Sequence, residues 1–149
     1  MKILIGVDDS AHSTAALEFV KGMTWPRDTE IVVVSAVRPP VAVYTEVYVP
    51  AAEQIERVIE DQRKYHEELV SRAELQLRDR GFRTSAKVLQ GDPREALIDM
   101  AKRENADLIV VGSHGRSGLT KLLMGSVASH IVTHAPCNVL VVRQTTRPV

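Results

Sequence analysis

The sequence predicts an α/β protein, an open parallel sheet of five strands with helices on both faces. Three short runs are almost continuously apolar and β-branched: "KILIGV" (Lys2 to Val7), "EIVVVSAV" (Glu30 to Val37) and "DLIVVG" (Asp107 to Gly112). That is the pattern of strands covered on both faces rather than on one. Helical periodicity fills the intervals between the runs, so strand and helix alternate along the 149 residues. Alternation with right-handed crossovers builds a parallel sheet.

Each element has its own local signal. A helix is expected from Ala11 to about Met23, with Asp9 and Ser10 before it as N-cap candidates. The next helix should run from about Gln54 to Arg80. Ile55, Val58, Ile59, Tyr65, Leu69, Ala73 and Leu77 recur there at mostly helical spacing, Glu and Arg fill the other face, and Gly81 stands at the exit. This is the pattern of a helix that covers a sheet. "TSAKVL" (Thr84 to Leu89) reads as a strand. Asp92 and Pro93 then open a helix to about Glu104, with Glu95 three residues after Asp92 as a capping-box partner. A last helix over Ser126 to His134 and a last strand, "NVLVV", complete the series. Pro39, Pro40 and Pro50 frame a connection over residues 38–50 that is too long for a simple turn. It reads either as a flap over an opening or as an ordinary excursion.

Length and charge narrow the function classes. A chain of this length suits a single domain, residues 1–149, with one ordinary hydrophobic core. Nineteen basic residues balance nineteen acidic ones, so no long-range field gathers nucleic acid or an anionic membrane surface, and any anion must be caught locally. The one cysteine, Cys137, cannot form an internal disulfide, and "MKILIGVDDS" lacks the apolar stretch of a secretion signal. No apolar run approaches the roughly eighteen residues of a membrane-spanning helix. A cytoplasmic protein with neither nucleic acid nor membrane as partner is expected.

In open parallel sheets, ligands bind at the carboxyl ends of strands where the strand order reverses, which points to the loops after the first and fourth strands. The later loop belongs to "VGSHGRSGLTKLLMGSVASHI". Gly112 and Gly115 lie three apart, and Gly125 with Ser126 follows at a helix start. Glycines let backbone amides approach a ligand, and a helix N-terminus offers unpaired N–H groups and a favourable dipole to an anion. Ser126 adds a hydroxyl, and Arg116 and Lys121 are cations within reach of the same loop. The alternative is a flexible turn with a glycine N-cap. Gly-x-Gly-x-x-Gly is absent, and "GSHGRSGLTK" lacks the Gly-Lys-Ser/Thr ending of a P-loop, which removes the main support for hydride transfer and P-loop hydrolysis. After the first strand, "VDDS" puts Asp8 at the sheet's carboxyl edge, a hard oxygen ligand suited to Mg2+ bridging phosphates.

Gly112, Gly115, Gly125 and Ser126, in the spacing Gly-x2-Gly-x9-Gly-Ser, resemble the nucleotide-binding subgroup of the universal stress protein family. "ILIGVDDS", "GDPREALIDMAKRENADLIVVGSHGRSGL" and "APCNVLVVR" are similar to that family too, so the resemblance spans nearly the whole chain. It implies strand order 3-2-1-4-5, a Rossmann-like fold of the adenine nucleotide alpha hydrolase type. It implies ATP as ligand, with Asp8 toward the phosphates and metal, and Gly112, Gly115, Gly125, Ser126 and Val127 around ribose and phosphates. Adenine would lie near Ala36 and Val37, with Val7 and Val111 lining its pocket, although "SAVRPP" departs from the histidine-containing strand end common in relatives. It also implies a homodimer made by antiparallel pairing of the final strands, residues 138–143, whose bare edge invites such pairing.

Other chemistry-bearing residues have plainer readings. His130 and His134 have the spacing of two metal ligands, yet Ile131 stands where a zinc protease has Glu, so they read as last-turn histidines interacting with the helix dipole. His114 has no identifiable carboxylate to orient it as a general base and reads as a solvent-facing loop residue. Cys137 reads as packing, and Trp25, Tyr44 and Tyr48 as ordinary loop aromatics. The expected function is an ATP-binding regulatory or signalling module in stress or growth arrest, with an unknown regulatory protein partner. The alternatives are a slow Mg2+-dependent ATPase and an interaction module without nucleotide function.

Overall fold

The computed structural model describes residues 1–39, 52–115 and 123–145. Nine elements alternate through the chain: β1 (Lys2–Gly6), α1 (Ala11–Gly22), β2 (Glu30–Val37), α2 (Ala52–Arg78), β3 (Arg83–Gln90), α3 (Pro93–Glu104), β4 (Leu108–Gly112), α4 (Ser126–His134) and β5 (Asn138–Val142). The strands form one five-stranded sheet in the order β3-β2-β1-β4-β5, and every neighbouring pair is parallel. This is the order implied by the resemblance. The chain moves outward through β2 and β3 on one side and through β5 on the other, so the reversal lies between β1 and β4.

Two-residue periodicity divides the apolar side chains between two layers. Ile3, Ile5 and Val7 of the first strand and its exit face α1 and α2, packing with Ala16, Leu17, Val20, Val70, Ala73 and Leu77. Leu4, Val32, Val34, Ile109 and Val111 face the opposite way, onto Leu97, Ile98 and Ala101 of α3 and Ala128 and Ile131 of α4. The central strands are thus apolar on both faces because both faces are covered. β5 has one strand neighbour, and its side chains are mostly half-buried.

Helix α2 covers the sheet as expected, but with its second half only. At 27 residues it is about 40 Å long, whereas the eight residues of β3 span roughly 26 Å. Its buried residues are His66, Val70, Ala73 and Leu77, all in the second half. Val58 and Ile59 are 50% and 44% exposed. The amphipathic pattern continues beyond the sheet it was taken to cover, because helical periodicity reports a preferred face and not whether a partner lies opposite.

At the amino edge of the sheet, Glu104 at the end of α3 accepts from Lys2 of β1 (3.2 Å) and from Lys87 of β3. Lys87 and Lys2 together hold its carboxyl below the usual glutamate value. At the carboxyl edge, Asp92 caps α3 through the Arg94 amide (2.9 Å), and the adjoining Arg94 guanidinium holds its carboxyl well below the ordinary range. The expected capping-box partner, Glu95, turns to His130 of α4 instead (2.8 Å). Among the described residues no helix is long and apolar enough to cross a membrane.

Candidate functional site

The first arm of the site is the exit of β1. Val7 N–H continues the strand ladder to Val34 O (2.8 Å). From there side chains take over the backbone groups: Ser35 Oγ donates to Val7 O (2.8 Å), and Asp8 N–H donates to Ser13 Oγ (3.0 Å). Ser10 caps α1 by accepting from Ser13 N (3.1 Å), and its own N–H donates to Asp8 Oδ1 (2.9 Å). Asp8 is therefore fixed in backbone and in one carboxylate oxygen. Of the two expected cap residues only Ser10 serves. Asp9 Oδ2 instead accepts from the Tyr65 hydroxyl of α2 (2.6 Å), a long-range contact that no local signal announces.

The second arm begins at β4. A Cβ on Gly112 would lie 2.7 Å from the carbonyl carbon of His12, so the missing side chain admits the α1 backbone against the strand end. Gly115 is different: among the described residues its Cβ would meet only Asp8 Oδ2, at 3.1 Å. Gly125 N–H donates to Ser113 O (2.7 Å), and a Cβ there would come within 3.1 Å of both Ser113 O and His114 Cα. The start of the excursion and the start of α4 are thereby tied together. Gly125 is the N-cap of α4 and supplies no side-chain cap, and the first-turn amides of a helix have no partner within the helix itself. Ser126 itself is exposed.

A polar cluster braces this arm. Ser113, 2% exposed, places its Oγ 3.2 Å from His12 Nδ1 and 3.0 Å from His114 Nδ1. His114 Nε2 bonds to Leu123 O, and the two imidazoles lie 4.9 Å apart. His114 is half-buried and bonded within the loop, not the solvent-facing residue that was expected.

Asp8, Gly112, Gly115, Gly125, Ser126 and Val127 thus meet at the carboxyl edge where the strand order reverses. Val7, Ala36, Val37 and Val111 reach the same edge but divide between faces. Val7 packs in the α1/α2 layer, and Val111 and Ala36 pack in the α3/α4 layer. Arg116, Lys121, Tyr44, Tyr48 and most of the 38–50 connection lie outside the described residues. Among the described residues no group of three His, Cys, Asp or Glu side chains could hold a metal ion. His130 and His134 stack at 4.2 Å; His134, in the last turn of α4 as expected, donates from Nδ1 to His130 O (2.9 Å), whereas His130 stands a turn earlier beside Glu95 and is not a last-turn residue. Burial, reinforced by Asp107, pushes the Cys137 thiol up, which suits a packing role. Trp25 Nε1 donates to Val20 O (2.9 Å) and packs against the core.

The residues that sequence reasoning missed are Ser13, Ser35, Tyr65, His66 and Ser113. Two left a signal. Ser35 interrupts the inward face of an otherwise apolar strand, and His66 occupies the same helical stripe as Val70, Ala73 and Leu77. They meet in the core: His66 Nδ1 lies 2.8 Å from Ser35 Oγ.

A family model described as the Universal stress protein family matches residues 1–143. The chain belongs to the universal stress protein family. A universal stress protein of Thermus aquaticus, from the QAH/OAS sulfhydrylase 3' region, is 32% identical over 141 residues, covering 95% of this chain and 97% of that protein. Among solved structures, that of hypothetical protein MJ0577 from Methanocaldococcus jannaschii has a TM-score of 0.83 at 25% identity, covering 98% of this chain and 97% of the other. The universal stress protein of Archaeoglobus fulgidus in complex with dAMP has a TM-score of 0.65 at 23% identity, covering 95% and 97%. Family membership and the five-stranded architecture therefore agree.

Proposed function

We propose that this universal stress protein is a single-domain regulatory module that binds ATP with Mg2+ in the cytoplasm and signals its nucleotide state under stress or growth arrest. The observation that carries this reading is the meeting of Asp8 Oδ2 with Gly115 across the crevice, beside the N-terminus of α4, whose N-cap Gly125 brings no capping side chain. A carboxylate and a helix N-terminus facing one space would repel and attract the same anion, unless a cation joins the carboxylate to it. A single protein carboxylate fits Mg2+, which keeps several waters and takes phosphate oxygens for its other ligands; bound there, it would neutralise and bridge the phosphates. Gly115 leaves room for them, Ser126 offers its hydroxyl, and the α4 amides donate. The dAMP complex of the Archaeoglobus fulgidus relative supports an adenine nucleotide as ligand.

The site residues are read as holding nucleotide and metal, and a slow Mg2+-dependent ATPase is the alternative reading. Calorimetry with ATP and Mg2+, together with mass spectrometry of small molecules released from the purified protein, tests the reading. Saturable binding or co-purified adenine nucleotide supports it. No heat with ATP, ADP or AMP in the presence of Mg2+ overturns it in favour of a protein-interaction module. Phosphate release abolished by Asp8→Ala would establish the slow ATPase.

The edge of β5 supports a homodimer through residues 138–143. Its side chains are half-buried for want of a neighbour, and the flanking helices α1 and α4 expose Phe19 and Val132. Light scattering at micromolar concentration checks this, and a monomeric mass refutes it.

A further inference from the structure

The core pair Ser35 and His66 lies behind the site and reaches its first arm through the Val7 carbonyl. Ser35 is 3% exposed and His66 5%, among apolar neighbours. Buried polar groups there are costly unless satisfied, and a valine and a leucine would fill similar space without that cost. The hydroxyl of Ser35 has one hydrogen, and Val7 O, a carbonyl, can only accept it. The contact between Ser35 Oγ and His66 Nδ1 must then be donated by the imidazole, which fixes the Nδ1–H form and a one-way chain from His66 to Ser35 to Val7 O.

This chain ends on a single peptide group. The carbonyl of Val7 is held by Ser35 of β2, and the amide N–H on the other side of the same peptide, that of Asp8, is held by Ser13 of α1. Backbone ladder bonds have stopped at Val7 N–H, so two hydroxyls set the plane from which the Asp8 side chain springs. The neighbour of His66 on α2, Tyr65, grips Asp9 on the far side of Asp8. The two rings meet edge to face at 5.3 Å. Consecutive residues of one helix therefore hold the loop immediately before and immediately after the proposed metal ligand.

We propose that His66, acting through Ser35, is a positioning residue that orients the Val7–Asp8 peptide and thereby aims the Asp8 carboxylate across the crevice at Gly115. The orientation stands on the geometry of the chain alone. Its effect on Mg2+-dependent nucleotide affinity rests on the function proposed above.

The test uses the full chain with His66→Leu, His66→Asn and Ser35→Ala. Two quantities are read: amide hydrogen exchange at Asp8, and the affinity for ATP with Mg2+ against that with EDTA. Asparagine can place an amide N–H near the Nδ1 position, whereas leucine cannot. His66→Leu and Ser35→Ala should speed Asp8 exchange by roughly tenfold while the Leu4 and Ile109 amides stay protected, since loss of one buried hydrogen bond opens the exit before the sheet. Both should weaken Mg2+-ATP binding by about tenfold and binding in EDTA by less than about threefold, with His66→Asn closer to wild type on each measure. Unchanged Asp8 exchange, equal loss of protection at Leu4 and Ile109, or His66→Asn behaving as His66→Leu would each overturn the proposal. If His66→Leu does not fold, Ser35→Ala decides through the same two readouts. If the wild type binds no nucleotide, the proposed function falls, and Asp8 exchange alone decides the positioning role.

Discussion

The carboxylate of Asp8 and the backbone of Gly115 face one another so closely that a Cβ on Gly115 would stand 3.1 Å from Asp8 Oδ2. The two residues are separated by most of the chain and brought together by the adjacency of β1 and β4. Gly115→Val fills this gap with branched carbon. It should weaken Mg2+-ATP binding by at least about tenfold, since the side chain must displace the carboxylate or the phosphates, while the urea midpoint changes little. Calorimetry beside urea unfolding checks both parts. Wild-type affinity would remove Gly115 from the site.

Gly112 should respond in the opposite way. The methyl group of Gly112→Ala would meet the His12 backbone at 2.7 Å, and backbone cannot swing aside as a flexible side chain can. The expected loss is about 1–3 kcal/mol of stability, from the overpacking of α1 against β4. Denaturant unfolding measures it. A stability equal to wild type would mean that α1 moves freely at its first turn.

Ser126 presents an exposed hydroxyl at the first turn of α4. Ser126→Ala should cost about 0.5–1.5 kcal/mol of nucleotide affinity, the worth of one ordinary hydrogen bond, with no loss of fold. Titration calorimetry with ATP and with adenosine separates a phosphate contact from a nucleoside contact. Equal losses for the two ligands would place the hydroxyl on the nucleoside.

Glu104 provides a pH-dependent contribution at the amino edge of the sheet. Hydrogen bonding from Lys87, then from Lys2, holds its carboxyl below the ordinary glutamate value in the folded state. A group depressed on folding stabilises fully above its unfolded value, and that contribution is lost as pH falls through the folded value. Glu104→Gln should therefore lower stability near neutral pH by about 0.5–1 kcal/mol, given two partly exposed lysine partners. The gap to wild type should close as the pH falls below the ordinary glutamate range. Urea midpoints followed from neutral pH downward decide it, and a constant gap would show that charge is not the cause.

Much of this architecture is written locally. The central strands are legible because burial on both faces leaves unbroken β-branched runs, and α3 is legible because Asp92 and Pro93 mark its start. The glycine and serine positions at the reversal point are legible as a spacing. What the spacing does not separate is why each glycine is there: Gly112 admits a helix backbone and Gly115 faces Asp8, distinctions that depend on residues about a hundred positions away. Asp9 shows the same limit, since a cap candidate and a partner for Tyr65 look alike until α2 is in place. The apolar stripe of α2 marks the helix but not how much of it is covered, since Val58 and Ile59 belong to the stripe and stand exposed.

The bond from Gly125 N–H to Ser113 O makes the excursion after β4 leave and return through one gate. The ends of such a loop are already joined, so further residues between them add little closure entropy and exert no pull on the posts. The strand end at Ser113 and the head of α4 therefore keep one fixed separation, and Asp8 on the neighbouring strand exit faces a frame whose two sides are pinned to each other.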